Sequence, residues 1–156
     1  MKKNIITFLL CFTLVFAVSF SVPVQAADIP INETSSITYL SDGSYYVTTI
    51  RAEYTTAASS QKQTSGFKSI AKYNSSNEIE FSLTVHGTFT YDGTTSKAVS
   101  ASYSYTIDDS FWSFSNGSAA YSGNTATATG TFKYLLLFQS QTLTVSLSCS
   151  PTGVLS

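Results

Sequence analysis

The chain has 156 residues, only 11% of them charged, and a formal net charge of −1, against about 25% charged residues in an ordinary soluble protein. That balance excludes the basic footprint which nucleic acid or an anionic membrane surface demands. One histidine and two cysteines leave little from which to assemble a catalytic centre.

At the start, Lys2 and Lys3 precede an apolar run from Ile5 to Phe20, and Val24-Gln25-Ala26 follows as a small-residue cleavage site. This order predicts a secretory signal peptide over residues 1–26, cleaved before Ala27. The run is short for a span of about 20 residues and is broken by Ser21, Pro23 and Gln25, so membrane contact is expected only through this transient segment. Cys11, between Leu10 and Phe12, is a poor acylation site. The protein is therefore expected to be secreted, with a lead-in over residues 27–36 and a single domain over 37–156, since the remaining length suits one core. Export reaches compartments where disulfides form, yet Cys149 is the only cysteine left, so no internal disulfide is expected. Cys149 continues the parity of Leu143, Val145 and Leu147, as a small buried hydrophobe does; an intermolecular bond or a reactive thiol is the sharper alternative.

Strand patterns fill the rest. Ile37–Leu40 reads as a short strand, Ser41-Asp42-Gly43 as a turn, and Ser44–Thr55 as a strand rich in Tyr, Val and Thr. The polar stretch from Ala57 to Ser65 reads as a loop crossing between sheets, and Phe67–Tyr73 as a strand closed by Asn74–Asn77. From Glu78 to Tyr91, apolar Ile79, Phe81, Leu83, Val85, Phe89 and Tyr91 alternate with polar residues, the period of a half-buried strand. After Asp92-Gly93, residues Val99, Ala101, Tyr103, Tyr105 and Ile107 repeat the odd parity. A two-residue loop pairing Tyr91 with Thr94 would turn one apolar face to solvent. A three-residue loop pairing Tyr91 with Thr95 is predicted instead, with Leu83 opposite Tyr103, Phe81 opposite Tyr105 and Gly87 opposite Val99.

Asp108-Asp109 ends that strand, Phe111–Ser115 reads as another, and Asn116-Gly117 reads as a turn before Ser118–Tyr121. Beyond Ser122-Gly123-Asn124 comes a long strand with small residues at one end, Ala126, Ala128 and Gly130. Its alternation fails at Leu135–Phe138, as at a hairpin bend or a doubly covered segment. Leu143–Cys149 is the last strand, ended by Pro151 and Gly153. Seven to nine strands without a helical repeat predict an all-β fold, an antiparallel two-sheet sandwich of Ig-like architecture, with a barrel as the alternative.

Chemistry is sparse. His86 falls on the polar parity of its strand, and adjacent Asp108 and Asp109 point to opposite faces of a strand, a poor geometry for a shared acid and base. No calcium loop, zinc spacing, phosphate loop or nucleophile elbow is present. No catalytic residue, metal or cofactor is expected. Aromatic side chains remain: Trp112, the single tryptophan, and the doublet Tyr45-Tyr46 are the candidate ligand-binding residues, because flat rings stack on sugars and anchor protein partners. The commoner role of such rings is in the core. In Phe111-Trp112, one ring of the two must face outward if the segment is a strand.

The stretches Leu40–Tyr46, Thr88–Thr95, Ser122–Thr127 and Leu147–Ser156 resemble small secreted proteins of unknown function from Firmicutes, Clostridium relatives among them. The resemblance implies a Gram-positive, extracellular setting and no activity. It also implies a second cysteine near the position of Ala98, paired with the equivalent of Cys149; this chain departs from that pattern. The expected function is a non-enzymatic binding module at or outside the cell surface, for a glycan or an extracellular protein. The alternative is a structural protein associating through strand edges, whose long Ser- and Thr-faced strands lack the usual charged guards. A small hydrolase or inhibitor is a third class.

Overall fold

The computed structural model describes residues 33–56, 62–136 and 138–156. The expected signal peptide and residues 27–32 of the lead-in lie outside the described residues. Every described element is a strand: β1 (Glu33–Tyr39), β2 (Tyr45–Thr56), β3 (Lys62–Tyr73), β4 (Ile79–Tyr91), β5 (Ser96–Ile107), β6 (Trp112–Ser122), β7 (Thr125–Tyr134) and β8 (Gln139–Ser148). They form two antiparallel sheets, β1-β2-β3-β4-β5 and β6-β7-β8, the expected all-β sandwich. Its connectivity is a meander of neighbouring strands in each sheet, without the Greek-key crossing of immunoglobulin domains, so the likeness is one of architecture alone.

Three boundaries differ from expectation. The strand expected to begin at Ile37 begins at Glu33, so the last four residues of the 27–36 lead-in already pair with β2, from Glu33 opposite Arg51 to Ser36 opposite Thr48. The polar stretch 57–65 does not cross between sheets, because β2 and β3 are neighbours in one sheet and β3 begins within it at Lys62; residues 57–61 lie outside the described residues. Asn116-Gly117 is no turn but the interior of β6, where a register slip between Phe114 and Asn116 passes over Ser115. Gly117 serves packing there: a Cβ would lie 2.6 Å from Phe114 Cζ and 2.8 Å from Tyr103 Cε2.

The β4–β5 hairpin moves its register by one residue beside the turn and by two beyond a bulge, where the predicted parity is kept. Tyr91 pairs with Ser96 rather than Thr95, Leu83 with Tyr105 and Phe81 with Ile107. The cause is Asp92. Its carboxylate accepts the N–H and hydroxyl of Thr94, both at 2.8 Å, and the N–H and hydroxyl of Thr95 at 2.7 and 3.0 Å, which holds Thr95 in the turn. A bulge at Val99, between the pairs Thr88–Ser100 and Phe89–Ala98, then restores the alternation. Gly87 consequently faces Ala101, and its missing side chain does mark a close approach: a Cβ would sit 2.7 Å from the Phe89 ring and 3.1 Å from Ala126 Cβ.

Those four hydrogen bonds hold Asp92 well below its ordinary value of 3.8, the Thr95 and Thr94 backbone amides contributing most. A depressed folded-state value means that the unfolded chain binds the proton first on acidification. The stabilisation is complete above pH 3.8 and is lost as pH falls toward the folded-state value. Asp92→Asn removes this dependence. Urea unfolding at pH 3.8 and at successively lower pH is expected to show a shallower loss of stability for D92N than for the parent; parallel losses would contradict the role given to the turn.

The core lies under β4. Phe81, Leu83, Val85 and Phe89 are fully buried, against Ala126, Ala128 and Phe132 of β7 and Val145 and Leu147 of β8. The small side chains near the start of β7 admit the larger ones opposite, as Gly130 does where Leu83 and Phe114 press against it. Cys149 is free and fully buried, and burial pushes its thiol up. Ala98 is also fully buried, and the two amides donate to one turn, Ala98 N–H to Gly123 O and Cys149 N–H to Asn124 O.

The smaller sheet covers only part of the larger: β6 packs beside β5, β7 over β4 and β5, and β8 over β3 and β4. All seven residues of β1 are exposed, and Tyr46 and Ile50 of β2 reach only the margin of the core. Among the described residues, no strand lies over the inner face of β1 and β2.

Candidate functional site

One end of the sandwich gathers the β1–β2 turn, the crossing from β5 to β6 and the β7–β8 loop. Asp109 shapes the crossing, its carboxylate accepting the Phe111 N–H at 2.9 Å and its carbonyl the Trp112 N–H at 3.0 Å. Trp112 thereby turns inward at 8% exposure, its ring centroid 4.6 Å from that of Phe81 and 5.1 Å from that of Tyr134. Its indole Nε1 donates to Glu80 Oε1 at 3.2 Å. Strict alternation would put Glu80 on the solvent face. A bulge between the pairs Lys72–Phe81 and Tyr73–Ile79 instead turns it inward, to within 2.6 Å of Lys72 Nζ. Lys72 Nζ also lies 5.0 Å from the Trp112 ring centroid, so the ammonium is held between a carboxylate and an aromatic face.

This cluster lines a cleft of about 450 Å³ together with Leu40, Asp42, Tyr134, Gln139 and Gln141. The Ser44 hydroxyl and N–H, donating to Asp42 Oδ1 at 2.6 and 3.0 Å, hold that carboxyl below its ordinary range, with a smaller contribution from Lys72. Gln141 Nε2 donates to the Tyr46 hydroxyl, whose value burial pushes up. Carboxylates, amides and hydroxyls around an indole edge can bind and orient a ligand. The described residues contain no group of three His, Cys, Asp or Glu side chains able to hold a metal.

The three candidate binding residues separate. Trp112 lines this cleft, whereas Tyr46 lines a neighbouring hollow and reaches the cleft only by its bond to Gln141. Tyr45 lies on the opposite face of the sheet, stacked on Tyr73 at 4.9 Å and 4°, tilted against Tyr39 at 5.4 Å, with its hydroxyl donating to Asn77 Oδ1. Neither Trp112 nor Tyr45 is an open platform: the Trp112 rings pack on the core, and a face of Tyr45 is covered by Tyr73. Of the Phe111-Trp112 doublet, Phe111 faces outward, at 47% exposure. His86 lies on the outer face, bonded to Ser104 and near Phe67, away from the cleft. Asp108 accepts the Thr106 hydroxyl while Asp109 closes its own turn.

Sequence reasoning missed the residues beside the cleft. Leu135, Leu136 and Phe138 stand between β7 and β8 and are uncovered, at 55%, 59% and 97% exposure. The Leu135 N–H donates to Phe111 O at 2.8 Å, which ties Leu135 to the crossing. Phe138 adopts φ of 53°, a conformation bulky side chains rarely take. The signal was the failed alternation, but four apolar residues in a row read equally well as doubly buried. An apolar prong thus stands beside a polar cleft. No protein-family model matches this chain, and no curated protein or solved structure is significantly similar to it.

Proposed function

We propose that the chain is an exported, non-enzymatic binding module that grips an extracellular protein with this end of the sandwich. The observation that carries the reading is the prong: Leu135, Leu136 and Phe138 stand in water next to Phe111 and the Trp112 cleft. Exposed apolar side chains beside convergent polar groups are the usual composition of a protein-binding surface. A glycan fits less well, because the rings of Trp112 and Tyr45 are packed on other rings rather than open for stacking on sugars.

The test is retention of residues 27–156 on bacterial cell walls. Phe138→Ser is expected to weaken retention by about tenfold or more, while its unfolding midpoint stays put because the side chain touches so little. Retention should vanish after protease treatment of the walls. Retention that survives protease and disappears with polysaccharide digestion would give the site to a glycan.

A specific observation also favours self-association. All seven residues of β1 are exposed, with Glu33 its one charge and neither Pro nor bulge along it. Two copies could pair this edge antiparallel about a two-fold axis. Sedimentation across a range of concentrations, without added partner, distinguishes that assembly from a monomeric module.

A further inference from the structure

We infer that the free edge of β8 takes up an extended polypeptide segment of the partner, which becomes a fourth strand of the smaller sheet; this rests on reading the chain as a protein-binding module. The backbone supplies the first reason. Ser148 and Ser156 exchange both hydrogen bonds, Ser148 N–H to Ser156 O at 2.9 Å and the return bond at 3.0 Å. The Cys149 N–H points the other way, to Asn124 O. Because antiparallel strands alternate the side to which each residue directs its N–H and C=O, Ser146, Thr144, Thr142 and Ser140 present theirs to the same open side as Ser148. The side chains agree: Thr127–Ser146, Thr129–Thr144 and Thr131–Thr142 share hydroxyl bonds at 2.9, 3.3 and 3.0 Å, as suits the closer, non-hydrogen-bonded pairs of a ladder. Val154–Ser156 is thus the start of a strand along β8, and the edge beyond it is unfilled among the described residues.

The floor supplies the second reason. Below the edge lies the uncovered inner face of β1 and β2, with a hollow of about 250 Å³ lined by Thr38, Tyr46, Thr48, Ile70 and Leu143. Toward Ser156 a second hollow, of about 550 Å³, includes Ile50, Tyr91 and Leu155. A strand bound along β8 drops alternate side chains into these hollows and leaves the others in solvent. At its far end it reaches the Trp112 cleft, since Gln139 and Gln141 line that cleft.

The shape of the slot selects the occupant. The overhang is two strands wide, about 10 Å at the usual strand spacing. Pairing β8 with the β8 of another copy about a two-fold axis would bring that copy's larger sheet into the space held by β1 and β2. A slim extended chain fits where a second sandwich collides. The edge from Gln139 to Ser148 carries no charge, proline or bulge, so the segment it matches is uncharged in its middle and alternates apolar with Ser- or Thr-like residues.

The test uses a bead library of nine-residue peptides alternating Val, Ile or Tyr with Ser or Thr, probed with residues 27–156. Thr144→Pro removes one outward N–H and leaves the β7–β8 ladder bonds in place, a position an edge strand tolerates. Captured peptides are expected to bind T144P about tenfold more weakly or worse. Peptides N-methylated at the residues facing β8 should also fail, while N-methylation at the intervening residues is harmless; this arm leaves the protein untouched should T144P misfold. Capture of no peptide, or capture indifferent to N-methylation, overturns the inference. So does a concentration-dependent dimer that T144P abolishes, or capture seen only after removal of residues 27–32, since either gives the edge to this chain itself. Cell-wall retention that Phe138→Ser abolishes and T144P leaves intact keeps the binding end and overturns strand addition alone.

Discussion

Phe132→Ala is expected to destabilise the domain by about 3–5 kcal/mol, the usual cost of truncating a fully buried phenylalanine. Phe132 stands on the central strand of the smaller sheet, fully buried, with its ring stacked on Phe81 at 4.1 Å and 18° and set edge-on to Phe114 at 5.3 Å. It therefore touches β4 of the larger sheet and β6, the strand beside its own. Small domains hold together by about 5–15 kcal/mol, so this one truncation removes a large fraction of the total. The urea midpoint should fall with little change in slope, and the Trp112 emission should shift, because Trp112 rests on the same Phe81 ring. A loss below about 1 kcal/mol would mean that the site has collapsed around the vacancy, and that the two sheets do not depend on this contact.

The core was legible because its evidence is local. In β4, β7 and β8 the alternation of apolar and polar side chains fixes which face is buried, and the buried residues are those of the expected parity. Three departures from expectation sit where one residue is added to one strand. Glu80, Val99 and Ser115 each lie at a register slip, and each slip depends on a partner strand that alternation does not identify. Glu80 shows the consequence for the site. Parity assigns it to solvent, but Lys72 from β3 and Trp112 from β6 meet it inside, and no short stretch of sequence contains all three. Composition identifies Trp112 as a large ring without saying what lies on its face, and the alternation of Phe111 with Trp112 does not say which of the two turns inward. The uncovered flank is less legible still: the sequence of β8 describes its two faces, whereas an open edge is a property of which strands lie beside it.

The Lys72–Glu80 pair gives the other large effect. Both side chains are 12% exposed, with Nζ and Oε2 2.6 Å apart, and Nζ lies 5.0 Å from the Trp112 ring centroid and 6.0 Å from that of Phe81. Removing one member of such a pair leaves the other charge without compensation, so Lys72→Met is expected to destabilise the protein by about 3 kcal/mol. Replacing both, as K72M/E80M, removes the desolvated charges together and should return stability to within about 1 kcal/mol of the parent. The comparison separates architecture from function. If the pair is there only to fill space, the double variant is retained on cell walls like the parent. If it orients a ligand in the cleft, the double variant folds as well as the parent and binds poorly, and Trp112 fluorescence no longer responds to the walls. A double variant that loses the sum of what Lys72→Met and Glu80→Met lose singly would show that the two charges are not coupled, contrary to the geometry. A stable double variant with lost retention would place the ion pair in the binding surface, as a polar cleft next to an apolar prong requires.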